Sequence, residues 1–364
     1  MTVGPVSNRP SFGRLETGPT PEKHMNRLAS LAAAGAGAYL AYRALRPTYD
    51  YRGKHAVVTG GCRGLGLVLA RELAARGARL SLCARDPDEV GAAAEEFAAR
   101  GVPAAAVVCD VTDQQQVKEF IATARRANGP VDVLINNAGV IAVGPLEEQR
   151  LADFDESLRT HLWAALYAAL EVIPEMKARG TGRIANIASF GGKVAVPHML
   201  PYVTGKFALV GLSDGLRVEL ARYGVSVTTV CPGLMRTGSH GQAAFKGRHE
   251  EEYRWFALGN ALPGLSISAE AAARQILRSV ARGDAEIVLT LPAKLAVLSR
   301  AVAPGLVSAL AAAADRFILP EPGGVGPRQV KGFDSRGRTP DVLTAHTDRA
   351  AERNNETVGG VPVS

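Results

Sequence analysis

Between Lys54 and about Thr290, short β-branched runs alternate with helical stretches, and this alternation constrains the fold more than any other feature of the chain. The runs are HAVVT (55–59), ARLSLC (78–83), AAAVVC (104–109), VDVLIN (131–136), RIANIA (183–188), VSVTTV (225–230) and EIVLT (286–290). Ala-rich helical stretches lie between them, the first from Gly64 to about Gly77. Two are long: one begins near Leu151 and continues to about Arg179, and the other carries Tyr202 and Lys206 and runs to about Tyr223. Strands alternating with helices predict an α/β fold built on a doubly wound parallel sheet of about seven strands. The short connections argue against a domain split inside the stretch, and no internal repeat is present.

At 364 residues, 47% hydrophobic and 21% charged, the chain is long enough for one such domain with appendages. Its net charge of +7 gathers at the start, where residues 1–54 hold eight Lys and Arg against Glu16, Glu22 and Asp50. The body is nearly neutral, which argues against a nucleic-acid partner and puts the basicity on an arm suited to anionic lipid. Cys62, Cys83, Cys109 and Cys231 lack metal-ligand or redox spacing and read as small apolar fillers in a reducing, cytoplasmic compartment. No metal site is expected. Residues 1–27 read as a disordered basic arm. From Leu28 to Tyr42 fifteen uncharged, mostly small residues follow, bounded by Arg27 and by Arg43 and Arg46. An apolar helix over 28–46 is expected, either anchoring the chain on a membrane or docked on the body. The fifteen residues span roughly 22 Å, short of the ~30 Å hydrocarbon core.

The turn after the first run is Thr59-Gly60-Gly61-Cys62-Arg63-Gly64-Leu65-Gly66. Glycines between a strand and a helix permit a tight turn and let a pyrophosphate approach the helix N-terminus. About twenty residues on, where an acid would accept a hydrogen bond from a ribose 2′-hydroxyl, the chain has Ala84-Arg85. With Arg63 in the loop, two cations are available to a 2′-phosphate, so NADP(H) is expected ahead of NAD(H). Asp86 is expected to cap the next helix, with Pro87 at its first position.

Tyr202 and Lys206, four apart on a helix, lie on one face, with Ser189 thirteen residues upstream. A phenol has an ordinary pKa of about 10, and an ammonium beside it is expected to lower that value toward the range useful for proton transfer. Ser189 would hold the substrate oxygen, Tyr202 would give or take its proton, and the alternative is a solvated helix face.

The set Thr59-Gly-x-x-x-Gly-x-Gly66, Asp110-Val-Thr112, Asn136-Asn-Ala-Gly139, Ser189, Tyr202-x-x-x-Lys206 and Pro232-Gly233 resembles the short-chain dehydrogenase/reductase family, in matching order over about residues 53–290. The resemblance implies a Rossmann-type sheet of seven strands and hydride transfer with a nicotinamide cofactor. It implies catalysis by Ser189, Tyr202 and Lys206. It also implies a cofactor site made by Thr59, Gly60, Arg63, Gly64, Leu65, Gly66, Arg85, Asp110, Val111, Asn137, Ala138, Gly139, Tyr202, Lys206, Pro232, Gly233 and Thr237. Asp110 would contact the adenine, Lys206 the nicotinamide ribose, and Pro232, Gly233 and Thr237 the carboxamide. One position departs from the pattern: His161 stands where the family usually has an Asn that holds a water behind the lysine. Histidine can donate and accept, but its bulk and its ionisation near pH 6.5 would change that route.

Substrate identity is less legible. The thirty residues from Leu234 to about Pro263 contain Phe245, Trp255, Phe256 and Leu258 and read as a lid or as an ordinary packed insertion. With Phe190, Val196 and Met199 they favour a lipophilic carbonyl or alcohol. Residues 291–320 offer two apolar helices split by Pro304-Gly305, suited to a membrane surface, a cover over the cleft or a contact in a homo-oligomer. Residues 321–364 are polar and expected to be mostly disordered. The competing functional reading is a catalytically weak, membrane-attached NADP(H)-binding protein acting through partners.

Overall fold

The computed structural model describes residues 48–261, 266–337 and 348–358, with residues 361–362 and scattered positions among the first 47. The chain divides into Met1–Thr48 and Tyr49–Ser364. In the first unit, the helix expected over 28–46 lies mostly outside the described residues; Ser30, residues 33–35 and Gly37 are helical. Among the described residues no helix is long and apolar enough to cross a membrane.

The second unit holds seven parallel strands: β1 (His55–Thr59), β2 (Arg79–Ala84), β3 (Ala104–Val108), β4 (Val133–Asn136), β5 (Gly182–Ile187), β6 (Val225–Cys231) and β7 (Glu286–Val288). Their spatial order is β7-β6-β5-β4-β1-β2-β3. The order reverses between β1 and β4, so their carboxyl ends open a crevice, the place where sheets of this kind hold ligands. In register, Thr59 faces Asn136 across that switch. Helices α1 (Gly64–Ala74), α2 (Pro87–Ala99), α3 (Gln114–Asn128), α4 (Leu151–Leu158), α5 (Ala164–Arg179), α6 (Leu200–Leu220), α7 (His249–Ala261) and α8 (Ala269–Arg282) surround or extend the sheet.

Alternate strand residues feed two cores. Ala56 and Val58 join Leu69 and Leu73 of α1 and Ile276 and Val280 of α8 on one face, while Val57 joins Phe120 and Ile121 of α3 and Val172 of α5 on the other. Burying one such Leu or Ile side chain contributes about 1.5–3 kcal/mol. All four cysteines are free and buried, Cys62 in the first core and Cys83 and Cys109 in the second.

The insertion after β6 is packed on the body. Leu234–Arg236 pairs with Ser266–Ser268, and Ala244–Phe245 lies between Ala142–Val143 and Val330–Lys331. Phe245, Tyr253 and Phe256 form an apolar cluster with Met199 and Val203. Helices α9 (Leu291–Val302) and α10 (Pro304–Phe317) follow the last strand and leave Leu291, Leu295, Leu298, Leu306, Leu310 and Phe317 exposed.

The polar tail departs from expectation. Residues 321–337 and 348–358 carry defined structure, and Gln329, Lys331, Asn354 and Glu356 reach the cleft beside the β1 turn. Their order comes from distant partners: Gln329 Nε2 donates to Asp153 Oδ1 (3.0 Å), and Phe333 packs on Gly241.

Candidate active site

The turn from β1 to α1 requires its glycines. Gly60 (φ +59°) and Gly64 (φ +53°) are left-handed, a region closed to most side chains. At Gly66 a Cβ would collide with the Gly60 carbonyl and approach Asn137 Nδ2 to 2.6 Å. Below the turn, Thr59 Oγ1 accepts the Asn137 and Ala138 N–H groups (3.1 and 3.3 Å), and Asn137 Nδ2 donates to the Thr59 and Gly60 carbonyls (3.2 and 2.9 Å). The loops at the ends of β1 and β4 are thus tied together, leaving α1 with its N-terminus aimed into the crevice.

A cleft of about 810 Å³ runs along this edge. Of the expected cofactor residues it is lined by Gly60, Arg63, Gly64, Leu65, Arg85, Asp110, Val111, Asn137, Ala138, Gly139, Tyr202, Lys206, Pro232, Gly233 and Thr237. Thr59 and Gly66 lie outside that lining and shape the turn. At one end Arg85 is exposed, and Asp86 caps α2 by accepting from the Asp88 and Glu89 N–H groups (2.8 and 3.4 Å) with Pro87 first in the helix. Arg63 is already paired, to buried Glu89 at 2.6 Å and to Glu356 at 3.7 Å. Burial raises the pKa of Glu89, with Arg63 opposing. Asp110 Oδ1 accepts from the Thr112 N–H and hydroxyl (2.9 and 2.8 Å). A glycine turn, a helix N-terminus and two arginines suit a phosphate-bearing dinucleotide, so the residues present fit that group.

At the other end Ser189, Tyr202, Lys206 and His161 come together. Ser189 ends the β5 loop and its Oγ accepts from the Gly191 N–H (3.0 Å) while hydrogen-bonding Tyr202. Lys206 Nζ donates to the Ile187 carbonyl (2.9 Å) and sits 5.7 Å from the centre of the Tyr202 ring. Burial dominates both ionisations. It pushes the Tyr202 phenol up to about 12, the Ser189 hydrogen bond opposing, and Lys206 down to about 7, the Cys231 thiol opposing. Desolvation, and not the expected lowering by the ammonium, sets the direction of the phenol's shift.

His161 lies in a π-helical turn, Arg159–Trp163, that interrupts the long helix between α4 and α5. Such turns often re-aim a side chain at functional sites. Its Nε2 accepts the Val140 N–H (3.2 Å), so Nδ1 carries the proton and donates to Ser157 Oγ (3.1 Å), which donates to the Pro201 carbonyl (2.7 Å). Burial first, then Lys206, hold its pKa well below the usual value, so the expected ionisation near pH 6.5 is suppressed. Both ring nitrogens are engaged by protein groups. The ring meets Tyr202 edge-on, centroids 5.5 Å apart. Gly205 makes room for it, since a Cβ there would approach Ser157 Oγ to 2.5 Å and His161 Nδ1 to 2.6 Å.

The residues expected to make the cleft apolar lie elsewhere: Met199 and Phe245 are buried in the insertion's own cluster. Beyond Tyr202 the lining includes Asp153, Glu156, Gln329 and Lys331 beside Ile141 and Ala142. Sequence reasoning also missed Ser157, Glu89 and the tail residues Asn354, Asn355 and Glu356. Ser157 precedes His161 by one helical turn, a spacing that could have suggested it.

The family model for short chain dehydrogenase matches residues 54–246. A protein carrying the name granaticin polyketide synthase ketoacyl reductase 1, from Streptomyces violaceoruber, is 41% identical over 184 residues, 50% of this chain and 68% of its own. A gluconate 5-dehydrogenase of Gluconobacter oxydans is 37% identical over 189 residues, 52% of this chain and 74% of its own. A solved gluconate 5-dehydrogenase from Burkholderia cenocepacia, in complex with NADP and tartrate, superposes with a TM-score of 0.59 at 28% identity, covering 68% of this chain and 98% of that one. A seven-stranded parallel sheet with its crevice at the β1/β4 switch, and a family match across more than half the chain, make this protein a member of the short chain dehydrogenase family.

Proposed function

We propose that the protein is an oxidoreductase that uses NADP(H) to interconvert a carbonyl and an alcohol, with Tyr202 as the general acid and base. The observation that carries this reading is the convergence of Ser189, Tyr202 and Lys206 at one end of the cleft whose other end is the glycine turn. A nicotinamide cofactor held along the cleft by the glycine turn, Asp110 and Lys206 would supply or accept the hydride. Ser189 Oγ holds the substrate oxygen, and the Tyr202 hydroxyl gives the proton to that oxygen as the carbonyl carbon gains hydride, or takes it in reverse. Lys206 stabilises the phenolate left behind by proton donation and binds the nicotinamide ribose. His161 acts through position: it fixes Val140 beside the site and buttresses the Tyr202 ring. The polar lining beyond Tyr202 favours a substrate of mixed polarity over a wholly lipophilic one. Exposed leucines on α9 and α10 support attachment to a membrane surface or self-association, alongside residues 28–46.

A panel of aldehydes and ketones tests the reaction: saturable NADPH loss is expected with at least one of them, and tight NADPH binding with turnover of none would favour the binding-protein reading. Arg85 tests the cofactor. A charge-assisted contact to a 2′-phosphate contributes about 1.5–3 kcal/mol, so Arg85→Ala should raise KM for NADPH about 10–100-fold. KM for NADH should stay nearly constant; equal losses with both cofactors would remove Arg85 from 2′-phosphate recognition.

The pH dependence follows from Lys206. Its charge favours the phenolate formed during reduction and is lost as pH rises through about 7. The reductive kcat/KM should therefore fall by about tenfold per pH unit above that point, since this ratio reports groups of the free enzyme. Lys206→Arg should move the falling limb to higher pH. A profile flat from pH 6 to 9 would contradict the assignment.

A further inference from the structure

The groove at the N-terminus of α1 already holds polar groups of this chain. The Gly64 N–H, first of the helix, donates to the Asn354 carbonyl (2.7 Å). Beside it the Glu356 carboxylate, 3% exposed, lies 3.7 Å from Arg63 Nε and fills the space over Gly64, where a Cβ would sit 2.5 Å from Glu356 Oε1. Asn355 Nδ2 donates to the Cys62 and Glu89 carbonyls (2.9 and 3.3 Å), with the Asn355 backbone left-handed at φ +57°. A carboxylate and a carbonyl thus take the donors that an N-terminal anion site offers to phosphate: helix N–H, guanidinium and dipole. Glu356 also lines the same cleft as Tyr202 and Lys206.

The segment is anchored away from the groove. Asp348 pairs with Arg336 (2.9 Å) and His240 (3.5 Å), and Ala350 and Ala351 are buried, the latter against Gly238. Within the groove its fit is incomplete. Glu356 Oε2 and Asn354 Nδ2 are buried without hydrogen-bond partners. Burial raises the Glu356 pKa to about 7, Arg63 opposing and the Glu89 carboxylate adding to the rise. A buried acid beside another acid, with one oxygen unbonded, is a contact that a diphosphate with more acceptors and more charge can replace.

We propose that residues 348–358 are a displaceable plug that competes with the dinucleotide for the diphosphate groove and holds the enzyme in a low-affinity state. This rests on the reading of the cleft as an NADP(H) site. Cofactor binding requires the tail to leave, Arg63 exchanging Glu356 for phosphate and Gly64 N–H exchanging the Asn354 carbonyl for a phosphate oxygen. Apparent affinity is then reduced by the fraction of molecules with the groove open.

NADPH fluorescence titration of the full chain and of Glu356→Ala tests the proposal. If about a tenth of molecules are open, the variant should bind NADPH about tenfold tighter, with kcat at saturating cofactor and KM for the carbonyl substrate unchanged. Equal or weaker NADPH binding by the variant would overturn the plug while leaving the nucleotide site intact. Absence of NADPH binding by both proteins would sink the nucleotide reading and the plug with it. Hydrogen exchange supplies the second readout: NADPH should speed exchange of backbone amides in 348–358 of the wild-type chain. Added protection there would make the tail part of the cofactor site and end the proposal.

Discussion

Tyr202→Phe should lower kcat by about 10²–10⁴-fold, the contribution typical of a positioned acid or base. NADPH affinity should change by no more than about twofold, because a hydroxyl that acts in proton transfer contributes to turnover rather than to cofactor binding. The structure gives the reason for expecting so clean a separation. The Tyr202 ring packs beside the apolar cluster of Met199, Val203 and Phe245 and meets the His161 ring edge-on, contacts that Phe retains. What disappears is the hydroxyl, held by Ser189 and raised by burial to about 12, so that at neutral pH it is a loaded proton donor. Steady-state rates and NADPH titration on the same preparation check this, and a variant with near wild-type turnover would remove Tyr202 from the chemistry.

Gly66→Ala should abolish measurable NADPH binding, a loss of at least about 100-fold, and destabilise the domain by about 1–3 kcal/mol or more, the range for overpacking at a closed site. The added Cβ would strike the Gly60 carbonyl and Asn137 Nδ2. Neither can retreat, because the Gly61 N–H is bonded to the Cys83 carbonyl (3.0 Å) and Asn137 to the Thr59 and Gly60 carbonyls. Displacing them would unpick the link between β1 and β4 and turn the α1 N-terminus from the groove. Chemical denaturation and cofactor titration check the two halves, and a stable variant with normal NADPH affinity would show that the turn is looser than its geometry indicates.

Much of the fold was legible because its signals are local. Seven β-branched runs mark the seven strands, and their departures are small and have causes. The last run ends at Val288 because Thr290 turns at φ +70° and caps α9, accepting from the Ala293 N–H (3.4 Å). The fourth begins at Val133 after the Val131 N–H bonds the Glu175 carboxylate (3.3 Å). The glycine turn and the Tyr-x-x-x-Lys spacing led to one cleft because backbone geometry and helical period set both. What stayed hidden depends on partners distant in sequence. Ionisation is one case, since the balance between burial and charge at Tyr202 cannot be read from spacing. The tail is another, since Asp348, Asn354 and Glu356 have no local pattern and gain order only against Arg336, Gly64 and Arg63. The lining was misjudged for the same reason, as Phe245 and Met199 satisfy one another instead of facing the cleft.

The central claim is that this cleft joins a nicotinamide site to a tyrosine proton donor, and isotope transfer tests it most directly. NADPH carrying deuterium at C4 of the nicotinamide, incubated with the carbonyl panel, should place deuterium on the carbinol carbon of a product with the wild-type chain and leave at most a trace with Tyr202→Phe. Tight binding of that cofactor with no deuterium in any product would contradict the account.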